Sequence, residues 1–111
     1  MKKIFVSALV LILGSTANSA TFECQTFLNL DVISTQIATT EPKIKVLVDQ
    51  TDVAVTYLTE KADNFFTLEV FLPYSQMRIY SEATVSVTSQ TISSTAWTRE
   101  YMVDVACRKL K

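Results

Sequence analysis

The sequence has no histidine, two cysteines, two prolines and a single glycine, Gly14. Each scarcity removes a class of function. Without histidine the commonest general base is missing, and two thiols expected to pair with each other leave no activated cysteine nucleophile. A non-enzymatic role is therefore expected. The same counts supply too few soft ligands for a zinc site, and no metal or cofactor is expected. Past Gly14 there is no glycine at all. Phosphate-cradling glycine loops, and the nucleotide folds built on them, are excluded. Positive backbone φ should then fall on Asn or Asp, with Asn29 and Asn64 as candidates.

Clustered positive charge is also lacking. Ten Lys and Arg stand against eleven Asp and Glu, a formal net charge of −1. Two of the lysines, Lys2 and Lys3, open the chain, and only Arg108, Lys109 and Lys111 gather at the other end. Phosphate-backbone affinity needs clustered Lys and Arg, so a nucleic-acid partner is not expected.

No apolar run approaches the roughly 20 residues of a membrane-spanning helix. The longest covers residues 4–13, interrupted by Ser7, and gives way to Gly14-Ser15-Thr16-Ala17-Asn18-Ser19-Ala20. Charged, then apolar, then small is the order of a secretory leader. The pattern predicts a signal peptide over residues 1–20. A cut after Ser19 puts Ala17 and Ser19 at the small-residue positions, while a cut after Ala20 puts the better residue last. The second is favoured. No cysteine follows the cut, so no lipid anchor is expected, nor any other membrane anchor once the leader is removed. The rest, residues 21–111, is long enough for one hydrophobic core and is read as a single domain, exported by a bacterium to the periplasm or beyond.

Export brings Cys24 and Cys107 into an oxidising compartment, where a disulfide between them is expected. It would close a loop of roughly 80 residues, worth about 4.5 kcal/mol in the chain-entropy description.

What is abundant is Thr, Val, Ser, Ile, Phe and Tyr, with apolar and polar residues alternating along nearly the whole domain. Period 2 predicts half-buried strands, at about residues 21–28, 31–38, 43–49, 53–60, 65–72, 77–89, 91–98 and 101–109. Asn29 with Asp31, Glu41-Pro42, Asp49 with Asp52, Asp63-Asn64, Pro73-Tyr74-Ser75 and Arg99-Glu100 mark the turns. The pair Asp49 and Asp52 is read as turn residues rather than as an acid/base or calcium site, since no calcium-loop pattern accompanies it. Alternation assigns one inward set: Phe22 and Cys24; Ile44, Val46 and Val48; Val53, Val55 and Tyr57; Phe66, Leu68, Val70 and Leu72; Ile79, Ala83, Val85 and Val87; Ile92; Val103, Val105 and Cys107. Short connections favour a meander, and an even strand number brings first and last strands side by side. A small eight-stranded antiparallel barrel is the first expectation, a β-sandwich the alternative.

The outward positions of strands five to seven hold Phe65 and Phe71, Arg78 and Tyr80, and Trp97 among Thr91, Ser93 and Thr95. Were these strands neighbours, Phe71, Arg78, Tyr80 and Trp97 would form a patch for a protein or glycan partner. A bulge that flips one strand would instead turn Trp97 or Phe65 into core. A second reading uses the interior, where Ser81, Ala83, Ser94 and Ala96 could leave room for a small apolar ligand and make the domain a carrier. Close packing against Phe66 and Leu72 is the competing outcome.

Phe22-Glu23-Cys24, one terminal disulfide and an expected eight-stranded barrel resemble the small periplasmic inhibitors of c-type lysozyme. The resemblance implies enzyme inhibition as a further alternative. The Ser/Gly-rich loop by which those inhibitors enter the enzyme cleft has no counterpart in this glycine-free domain.

Overall fold

Alternation builds strands almost end to end. The computed structural model describes residues 19–111. Of the expected leader only Ser19 and Ala20 fall among them; the rest lies outside the described residues. The strands are β1 (Ala20–Leu28), β2 (Asp31–Thr40), β3 (Lys45–Gln50), β4 (Val55–Ala62), β5 (Phe65–Leu72), β6 (Met77–Thr84), β7 (Thr91–Trp97) and β8 (Met102–Lys109). They form two antiparallel four-stranded sheets, ordered β2-β1-β8-β7 and β3-β4-β5-β6.

First and last strands do lie side by side, with Cys24 opposite Cys107 and the two joined by a fully buried disulfide. A buried disulfide points to an oxidising environment rather than the cytoplasm. The ring does not close, however. A closed meander needs rungs from β2 to β3 and from β6 to β7, and in both places the chain crosses to the other sheet instead. The barrel expectation is thereby corrected to a sandwich. Side-chain size supplies the reason. Several inward positions at the two seams are small, Ser34 and Ala38 on β2, Ser81 and Ala83 on β6, and Ser94 and Ala96 on β7, beside the larger Val46, Val48, Ile79 and Ile92. The middle strands carry Phe22, Leu58, Phe66 and Leu68, all fully buried. Large side chains in the middle and small ones at the margins make two stacked layers, whereas a round barrel needs its interior filled on every side.

One core results. Phe22 and Phe66 meet edge to face with ring centroids 5.0 Å apart, the geometry aromatic pairs prefer. Side chains hold each seam. At β2/β3, Asp49 is buried and accepts hydrogen bonds from Thr26 Oγ1 at 2.8 Å, Ser34 Oγ at 2.9 Å and its neighbour's N–H, Gln50, at 2.8 Å. A register shift between Leu47 and Asp49 lets Val48 and Asp49 both face inward, as a bulge allows. Asp49 is thus a strand residue binding the two sheets, not a turn residue paired with Asp52. At β6/β7 the Ser81 and Ser94 hydroxyls hydrogen-bond to each other.

The inward set needs correction on β4. Its buried positions are Thr56, Leu58 and Glu60, and Tyr57 faces out with Val55. Thr51 to Ala54 form a turn, in which the Ala54 N–H donates to Thr51 Oγ1 at 3.1 Å and the Thr51 N–H to the Ala54 carbonyl at 2.8 Å. Val53 and Ala54 are buried within that turn, so their hydrophobicity imitates the start of a strand. Ile44 and Val87 are likewise exposed rather than inward. β6 stops at Thr84, short of the long strand expected, where the Val85 N–H donates to the Asn64 carbonyl at 2.8 Å. Asn29 (φ 51°) and Asn64 (φ 62°) do take positive φ, but so do Leu30, Lys43, Gln76 and Ser89. Asn29-Leu30 closes the β1–β2 hairpin with both central residues left-handed, the form that matches strand twist. Lys43 and Ser89 are held by hydrogen bonds from their N–H groups to the carbonyls of Glu60 and Lys109, both at 2.8 Å.

Candidate functional site

The β3–β6 sheet turns an unusual face to solvent. Outward residues of adjacent strands fall in rows, because antiparallel pairing sets them directly opposite one another. One row runs Leu47, Tyr57, Glu69, Tyr80, and the next runs Val55, Phe71, Arg78. Glu69 therefore lies between two tyrosines, at the centre of the sheet.

Although it points out of the core, Glu69 is only 7% exposed. Lys45 and Arg78 both reach it, Lys45 Nζ lying 3.0 Å from Oε1 and Arg78 Nη1 donating to Oε2 at 3.1 Å. Each cation also covers a ring: Lys45 Nζ stands 4.6 Å from the Tyr57 centroid and the Arg78 guanidinium 5.2 Å from that of Phe71. The carboxylate fixes the two cations and the cations cover the aromatic faces, within cation–π range. The result is a platform of aromatic rings and half-exposed cations whose side-chain freedom is already restricted. Such groups lose less on contact with a partner than free surface side chains.

Of the residues singled out from the sequence, Phe71, Arg78 and Tyr80 share this face: Phe71 is half-buried beneath Arg78, and Tyr80 is 61% exposed. Trp97 does not join them. It stands on β7, an edge of the other sheet, where Ile92, Ser94 and Ala96 point inward and Thr91, Ser93, Thr95 and Trp97 outward. Trp97 is 75% exposed, on the opposite outer face of the sandwich. Neither Trp97 nor Phe65 is turned into core. The crossing between β6 and β7 is what divides the expected patch.

The sequence reading missed Tyr57, Lys45 and Glu69. Alternation assigns Tyr57 the inward phase, and Lys45 and Glu69 carry no motif that would single them out. One signal points to this face: Lys45 on β3, Glu69 on β5 and Arg78 on β6 are opposite charges at outward positions of one sheet.

Among the described residues no three His, Cys, Asp or Glu gather as a metal would need, and no helix is long and apolar enough to cross a membrane. No family model matches the chain, and no curated protein or solved structure matches it either. Of the features behind the likeness to lysozyme inhibitors, the tripeptide and the disulfide stand and the closed barrel does not.

Proposed function

We propose that the domain is a non-enzymatic binding module, exported to the periplasm or beyond, and that it contacts a protein partner through the outer face of β3–β6. The observation that carries this reading is the buried Glu69 holding Lys45 and Arg78 over Tyr57 and Phe71, with Tyr80 beside them. Tyr and Arg are the residues in which binding energy concentrates at protein interfaces, and pre-ordered side chains raise their yield. The buried disulfide supports export, since thiols stay reduced in the cytoplasm.

The test is retention of partners from a bacterial envelope extract by immobilised residues 20–111. The wild type is expected to hold a protein that the Arg78→Ala/Tyr80→Ala double variant releases and the Trp97→Ala variant keeps. Equal retention by all three would reject the face. Elution by soluble oligosaccharide would move the reading to a glycan.

A further inference from the structure

At the end of the sandwich where β1 begins and the β4–β5 turn closes, a pocket of about 590 Å³ opens between the sheets. Ser19, Ala20 and Glu60 line it, together with Lys43, Lys61, Asp63, Asn64 and Lys109.

Glu60 is only 7% exposed, although it ends in a carboxylate. Its Oε2 accepts the Asn64 N–H at 3.0 Å, while its Oε1 is buried and has no hydrogen-bond partner among the described residues. None of the three lysines lining the pocket bonds to that oxygen. A buried carboxylate oxygen left without a donor is costly and rare. A donor placed in the pocket would satisfy it.

Ala20 is placed to supply it. Glu60 lies in register with Phe66, Phe66 packs edge to face on Phe22, and Ala20 is the inward residue next along β1. Ala20 and Glu60 thus face the same mouth from opposite sheets. Ala20 is itself 5% exposed, pairs with Thr40, and accepts a hydrogen bond from the buried Thr40 Oγ1 at 3.4 Å. A cut after Ala20 would delete that buried methyl and take from Thr40 its acceptor. A cut one residue earlier keeps both and still leaves Ala17 and Ser19 at the small-residue positions.

We infer that the leader is removed between Ser19 and Ala20, and that the pocket seats the new α-ammonium of Ala20 against Glu60 Oε1. The inference rests on the proposed export, in which the host's leader-removing protease adds one water across the Ser19–Ala20 peptide bond. The leader departs with a Ser19 carboxylate, and Ala20 keeps the protonated amine. A soluble amine would give up its translational freedom to occupy the pocket, whereas this ammonium is held there by its own strand. Processing would then complete the fold by satisfying a group that the precursor leaves unpaired.

The test expresses the full chain with its leader in a bacterium that has a periplasm, and sequences the N-terminus of the exported product. Ala20 is the expected first residue. A product starting at Thr21 overturns the inference while export stands, and a product still carrying Lys2 and Lys3 overturns both. The pairing itself is read from the pKa of the Ala20 ammonium by NMR. Removing a neighbouring carboxylate with Glu60→Gln is expected to lower it by about one pH unit; an unchanged value refutes the contact. Should Glu60→Gln fail to fold, the wild type alone decides, with a value above the ordinary one of about 8 supporting the pairing and a value at or below it rejecting it.

Discussion

The two outer faces of the sandwich are built by the same alternation and differ in what it exposes. On the β2-β1-β8-β7 side one central row runs Thr35, Gln25, Ala106, Ser93 and the next Ile37, Glu23, Arg108, Thr91, with Glu23 paired to Arg108 at 2.7 Å, Thr95 bonded to Asp104, and the aliphatic residues Val32, Ile33 and Ile37 exposed along the edge strand β2. Its exposed aromatic, Trp97, sits at the end of an edge strand opposite Met102. On the β3-β4-β5-β6 side the centre holds Tyr57, Glu69 and Tyr80 in one row, and the carboxylate is nearly buried. The Glu23–Arg108 pair of the first face stays at the surface, partly exposed. A face that buries a carboxylate between two cations, in a row of tyrosines, has accepted a desolvation cost that surface ion pairs avoid. That cost supports the proposal of a contact surface on this side.

The largest effect expected from this contrast is in stability. Glu69→Ala strands two cations over aromatic rings and should cost about 2 kcal/mol, less than a fully buried pair because both partners are half exposed. Glu23→Ala, on the polar face, should cost under about 0.5 kcal/mol. Urea denaturation of the two variants measures the difference, and equal losses would erase the distinction between the faces.

Next comes binding. Arg78→Ala should weaken partner affinity about tenfold or more, as loss of an interface anchor does, while Arg108→Ala should leave it unchanged. Titration calorimetry with the captured partner compares them, and a reversed order would move the contact to the other sheet. The smallest effect is expected for Trp97→Ala, which should shift stability by less than about 0.5 kcal/mol because the ring is mostly exposed. A thermal melt checks it. A large drop would contradict the exposed placement of Trp97.

Much of this architecture is legible in the sequence, and the illegible part has a common cause. Strand positions follow from alternation, and the Cys24–Cys107 bond follows from there being two thiols in the sequence, both in phase with the core. Asn29 and Asn64 announce their turns by chemistry. Alternation states which side of a strand faces in, but not which strand lies beside it. The small residues Ser81, Ala83, Ser94 and Ala96 could be seen to face inward, yet only the pairing shows that they line a seam. The division of Phe71, Arg78 and Tyr80 from Trp97 has the same origin. β4 was misphased for a local reason, since Val53 and Ala54 are apolar residues buried in a turn that Thr51 closes. Restoring that phase brings Tyr57 out beside Glu69, and with it the centre of the site.

The claim that one outer face is the contact surface is tested most directly by site-specific photo-crosslinking in the bacterial envelope, with a photoreactive amino acid at position 80 or at position 97. Adducts of one discrete mass from position 80, and none from position 97, are the predicted result. Adducts from position 97 alone would place the partner on the polar sheet and contradict the account.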